Sequence, residues 1–119
     1  MKIKIRPADK LFSEYIRRRD KWTCQNCLRK PDKQGLHCSH YWSRGRESVR
    51  FEPDNCLSLC FYCHLKLGHG DGRDGYRELM IRRLGEKRFK SLEIQANTYR
   101  KKDDKLIILF LKQEIKKLN

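Results

Sequence analysis

Two Cys-x-x-Cys pairs, Cys24/Cys27 and Cys60/Cys63, offer four thiolates, and the stretch between them carries His37, His40 and a lone Asn55 before His64 follows the second pair. Four converging cysteines make a closed tetrahedral zinc site with no position left for a substrate, so their chemistry is structural. Because 32 residues separate Cys27 from Cys60, a whole subdomain must loop out between the pairs. A thioredoxin-like redox centre would need a single pair in a βαβ setting, which is not the pattern here. Cys38 and Cys56 remain, and both fall in expected strands, where a cysteine reads as a small buried apolar residue rather than a ligand.

The elements that must position these groups follow from local patterning. Residues 2–5, KIKI, alternate and suit a short edge strand ended by Pro7. Asp9 stands as an N-cap, with Leu11, Phe12, Tyr15 and Ile16 forming the apolar face of a first helix that ends near Lys21 and packs on the zinc module. Residues 35–41 suit a strand with Cys38 and His40 on one face and His37 and Ser39 on the other. An ordered loop spans 43–54, a second strand begins at Cys56, and a helix from about Phe61 carries His64. Glycines at 68, 70 and 72 break that helix, with His69 a solvated loop residue.

Two further helices follow. One runs from Tyr76 to Leu84 and is closed by Gly85; the other runs from Glu86 to Asn97 and packs through Phe89, Leu92 and Ile94. The last stretch, capped by Asp103 or Asp104, is too apolar from Leu106 to Leu111 for a helix touching one surface. It packs against helix one or meets another copy of the chain, so the protein is a monomer or a homodimer.

At 119 residues and 38% hydrophobic content the chain reads as one domain with a modest core that benefits from a metal staple. No apolar run is long enough to span a membrane and MKIKIRPADK lacks the apolar core of a signal peptide, which points to a cytoplasmic, intracellular location, a reducing compartment that favours metal over disulfides. Lys and Arg number 29 against 15 acids, a net charge of +14, so a polyanion is the expected partner and DNA the default one. Arg44, Arg46 and Arg50 in the loop are candidate phosphate clamps or a solvated charge run.

The order His40-Tyr41, Asn55, then Cys60-x-x-Cys63-His64 resembles zinc-stapled HNH endonucleases. Through His-Tyr, Ser-Arg, Arg-Phe, Asp-Asn and then YRELMIRRLG at 76–85, the chain is similar in particular to phage NinG-type recombination nucleases. The resemblance covers roughly residues 22–95. It implies an α+β fold with a small ββα-metal (His-Me finger) core and a structural four-cysteine zinc, surrounded by several helices. The knuckle and core would occupy 22–67, with flanking helices in 1–21 and 72–119.

The resemblance also assigns roles. His40 becomes the general base, His64 a ligand of one divalent cation, and Asn55 a residue that bonds backbone across the loop and aims His40. Where the family usually carries a ligand before the base, this chain has Ser39, so His37, on the same strand face, is the expected substitute. Two imidazoles favour Mn2+, Ni2+ or Zn2+ over Mg2+. The implied function is hydrolysis of DNA phosphodiesters, with branched DNA among the candidate substrates, in phage DNA processing, recombination or packaging, and with a phage packaging or recombination protein as a candidate partner. The alternative is a non-catalytic zinc-stabilised nucleic-acid-binding module.

Overall fold

Helix α1 (Pro7–Arg19) begins at a proline whose fixed φ suits the first helical position. In this computed structural model, which describes residues 3–68 and 72–118, the cap is Arg6 and not Asp9. Asp9 sits three residues in, and its carboxylate accepts the Arg6 N–H at 2.7 Å, because Pro7 starts the helix earlier than the apolar pattern suggested. Residues 3–6 form no strand. The carbonyl of Lys4 is held instead by the Arg50 guanidinium at 2.7 Å. After α1, Lys21 and Trp22 both adopt left-handed backbone (φ 56° and 54°), and this turns the chain sharply into the first cysteine pair.

Strands β1 (Leu36–His40) and β2 (Cys56–Cys60) pair antiparallel, with His37 opposite Leu59, Ser39 opposite Leu57 and His40 opposite Cys56. Paired residues share a face, so Cys38, His40 and Cys56 lie on one side and His37 and Ser39 on the other. Helix α2 (Phe61–Gly68) follows β2 directly, then α3 (Gly72–Leu84), α4 (Glu86–Ala96) and α5 (Asp104–Lys117). Gly72 meets the end of α2 so closely that a Cβ there would collide with the Lys66 carbonyl. His69 lies outside the described residues. The result is an α+β fold with a two-stranded sheet.

Two apolar clusters flank the sheet. Leu57 and Leu59 pack with Leu67, Tyr76, Met80, Phe89 and Leu92, which joins the sheet to α2, α3 and α4. On the other side Phe12 and Ile16 of α1 pack with Phe51, Cys56 and Leu111. Helix α4 turns Phe89, Leu92 and Ala96 inward, one stripe at helical spacing, so Ile94 falls off that stripe and is 62% exposed, contrary to its expected packing role. Helix α5 packs on α1 through Leu111, while Leu106, Leu109 and Phe110 stay exposed. Asp103 is its cap, accepting from the N–H of Lys105 at 3.0 Å. Among the described residues no helix is long and apolar enough to cross a membrane.

Candidate functional site

The four cysteines of the two pairs converge, with their Sγ atoms all within 4.8 Å of one another. Cys27 and Cys60 Sγ lie 3.8 Å apart. That is the edge of a tetrahedron with metal–sulfur bonds of about 2.3 Å, so the set fits a zinc ion. The Gln25 N–H donates to the Ser58 carbonyl at 2.9 Å and ties the first turn to β2, while Leu28 at φ 66° closes that turn. Burial opposes ionisation of Cys24, but the N–H groups of Cys27, Cys60 and Asn26 outweigh it and bring the thiol down to about 7. Burial pushes Cys63 up to about 12, against the Asn26 amide that donates to its sulfur at 3.3 Å. Crowded thiols of this kind cannot all ionise without a cation between them.

The second group of residues meets at a cleft of about 560 Å³ lined by His37, Cys38, His40, Ser43, Arg44 and His64 together with Asp9, Ser13 and Arg17 of α1. An adjoining cleft shares His40, Ser43 and His64 and adds Arg46, Arg73 and Tyr76. His40 Nε2 is 3.0 Å from the Arg50 carbonyl oxygen. A carbonyl only accepts, so Nε2 carries the proton and Nδ1 holds the lone pair. Burial, reinforced by Arg44 and Arg50 and opposed by the carbonyl contact and by Asp9, lowers the pKa of this imidazole to about 4. His40 is therefore neutral at pH 7.

His37 and His64 come together across the strand and α2 as a stacked pair, with centroids 5.2 Å apart and planes 10° from parallel. The pair thus brings two imidazoles side by side at the cleft. Ser39 does not face that space freely: it is buried, and its Oγ accepts the Tyr76 hydroxyl at 2.8 Å.

Asn55 is completely buried immediately before β2, at the end of a 3-10 turn (Pro53–Asn55). Its Oδ1 accepts the Trp42 N–H at 2.9 Å, and its Nδ2 donates to the carbonyls of Trp42 at 2.9 Å and Val49 at 3.2 Å. The Asn55 carbonyl also accepts the Tyr41 N–H at 2.9 Å. The side chain thus ties both ends of the 41–55 loop to the strand that follows it.

The three loop arginines separate. Arg50 is only 6% exposed, and its guanidinium grips Asp9 through Nε at 3.0 Å and Nη2 at 2.6 Å. It is a buried structural ion pair and not a phosphate clamp, because the side chain is buried and its Nε and Nη2 donors are engaged by Asp9 and the Lys4 carbonyl. Arg46 bonds the Asn97 side chain at 2.8 Å and lies over the Trp42 ring. Arg44 lines the cleft beside His40.

Sequence reasoning missed two residues. Asp20, buried, accepts from Arg19, from Arg83 and from the Ser58 N–H at 2.8 Å, so it knits α1, α3 and β2 together. Arg73 of α3 donates to the Tyr41 carbonyl at 3.0 Å and lies 4.4 Å over the Tyr41 ring, at the rim of the second cleft. The Asp at the end of a basic helix was a legible signal for the first. Nothing local singles out the second among 29 cations.

A protein-family model described as NinG: Bacteriophage Lambda NinG protein matches residues 3–119. No curated protein and no solved structure matches the chain.

Proposed function

The chain belongs to the bacteriophage lambda NinG protein family, and from that premise and the cleft we propose that it is an HNH-type endonuclease that hydrolyses DNA phosphodiester bonds, with β1, β2 and α2 as its ββα-metal core. The observation that carries this reading is the state of His40: Nε2–H is held by the Arg50 carbonyl and Nδ1 keeps a lone pair at neutral pH, beside a cleft shared with His37, His64 and Arg44.

In this scheme a water in the cleft gives its proton to His40 Nδ1 while its oxygen attacks phosphorus. The bond to the 3′ oxygen breaks, and that oxygen takes a proton from solvent, leaving 5′ phosphate and 3′ hydroxyl ends. Arg44 pairs with the phosphate. With Arg44 so engaged, the positive charge facing His40 is offset, and the imidazole becomes a better proton acceptor when substrate is bound. His37 and His64 would hold a divalent cation, Mn2+, Ni2+, Zn2+ or Mg2+, which would supply Lewis-acid stabilisation of charge on the phosphate and the departing oxygen. The four cysteines would hold a separate zinc with a structural task. A net charge of +14 supplies long-range attraction for DNA and makes binding depend strongly on salt.

The test is cleavage of linear, nicked and four-way-junction DNA with a series of Mn2+, Ni2+, Zn2+ and Mg2+. Metal-dependent cutting of any of these supports the reading. DNA binding without cutting under every ion favours instead a zinc-stabilised DNA-binding module, a second reading that draws on the engaged Ser39.

A further inference from the structure

The two cysteines outside the zinc cluster are not isolated. Cys38 and His40 lie on the same face of β1, and Cys56 stands directly opposite His40 on β2. The two Sγ atoms and one ring nitrogen of His40 lie within 4.8 Å of one another, the same proximity that unites the four cysteines of the first cluster. Cys56 is fully buried under α1, and Cys38 is half-buried and lines the cleft, so an ion has a route in.

We propose that Cys38, His40 and Cys56 form a second metal site, open at its fourth position toward the cleft, that takes a thiophilic divalent ion such as Zn2+ or Cd2+ and sequesters the His40 imidazole. Two sulfurs and an imidazole are a soft donor set suited to such ions rather than to Mg2+. With Nε2–H held by the Arg50 carbonyl, Nδ1 is the nitrogen left to serve as the ligand atom, and a metal-binding histidine ordinarily donates its other ring N–H to a carbonyl or carboxylate in this way. On binding, both thiols release their protons to solvent, and two thiolates neutralise the divalent charge beneath α1. Burial and the neighbouring Cys38 oppose a Cys56 thiolate, which the bound ion must offset, and the Arg19 guanidinium, bonded to the Cys56 carbonyl at 2.7 Å, acts in the ion's favour.

The consequence, which alone rests on the nuclease reading, is inhibition. An ion at this site occupies the lone pair that would accept a proton from water. The chain would then require one zinc for its fold and lose activity to a second.

The experiment is a Cd2+ titration of the full chain under a phosphine reductant, followed by ultraviolet thiolate-to-metal absorption. Ions held only by His37 and His64 contribute nothing to that band. Wild type should give two steps, the first from four thiolates and the second half as large, from the remaining two of the six cysteines. Cys38→Ala, at a half-buried position, should keep the first step and lose the second, and His40→Gln should weaken the second alone. A wild-type titration that ends after one step, or a second step unchanged in Cys38→Ala, overturns the site. Cleavage is read beside it as the ratio with and without excess Zn2+, which should fall in wild type as the second step fills and hold steady in Cys38→Ala. A second step in a chain that cuts no DNA leaves the site standing and strikes only the nuclease reading.

Discussion

The side-chain amide of Asn55 closes on both polar groups of the Trp42 backbone, accepting its N–H and donating to its carbonyl, each at 2.9 Å. This two-point clamp lies in a fully buried setting, where each unpaired group would carry its full desolvation cost. Because Trp42 is two residues past His40, the clamp sets where β1 ends and how the imidazole enters the cleft.

Asn55→Ala should therefore destabilise the fold by roughly 2–4 kcal/mol, since it orphans the Trp42 N–H and two carbonyls and leaves a void. Asn55→Asp should cost a similar amount by setting a carboxylate against the Trp42 and Val49 carbonyls. Denaturant unfolding of both variants checks this. A near-neutral Asn55→Ala would mean the loop is held by other contacts.

His40→Ala should reduce DNA cleavage by about 10²–10⁴-fold, the usual contribution of a general base. The zinc of the four-cysteine cluster and DNA affinity should stay at wild-type levels, because His40 belongs to neither that cluster nor the arginine surface. If this variant cuts normally, His40 is not the base.

Burial of His40 also makes stability depend on pH. Above the ordinary value of 6.5, neither folded nor unfolded ring binds a proton, and the folded state has its full stability. Between 6.5 and about 4 the unfolded chain takes up a proton that the folded ring, facing Arg44, Arg50 and Asp9, does not. Stability therefore falls as pH drops through this window, by roughly 3 kcal/mol in all, and the slope vanishes below it. Unfolding free energies at pH 7, 5.5 and 4.5 should show this difference between wild type and His40→Gln.

Removing the ion from the four cysteines with a strong chelator should abolish cooperative unfolding, and stoichiometric Zn2+ should restore it, because the four thiolates join the Cys24–Cys27 turn to the end of β2 and the start of α2. Circular dichroism melts with and without chelator measure the effect. A melt unaffected by full demetallation would remove the structural role.

Arg50 and Arg44 should behave oppositely despite their proximity in sequence. Arg50→Ala strands the Asp9 carboxylate, held below its usual range against burial chiefly by this guanidinium, and should cost about 3–5 kcal/mol of stability. Arg44→Ala should leave the melt largely unchanged and reduce the salt dependence of DNA binding by about one ion released. Paired melts and salt titrations separate the two roles.

Much of this was legible locally. The two Cys-x-x-Cys pairs announced a metal cluster because thiolates at that spacing have few other uses in a chain with this composition, and period-2 and 3.6-residue patterning located β1, β2 and the helices to within a few residues. The alternation in β1 also set His37 and His40 on opposite faces. Misreadings arose where one interaction overrode a local signal: Pro7 moved the start of α1 away from Asp9, and Gly72 let α3 begin one turn before its apolar stripe.

What only the tertiary structure decided is which like residues do unlike work. Arg44 and Arg50 read alike in a charged loop, yet the fold hydrogen-bonds the Asp9 carboxylate of α1 to the Arg50 guanidinium while Arg44 lines the cleft, and burial converts Arg50 into an internal brace. Cys38 and Cys56 lie 18 positions apart in sequence, on different strands. The antiparallel register sets them beside His40, and the six cysteines divide four and two. Spacing along a chain reports which face a side chain takes. Partnership across elements depends on register and helix placement, which arise from the packing of the whole core.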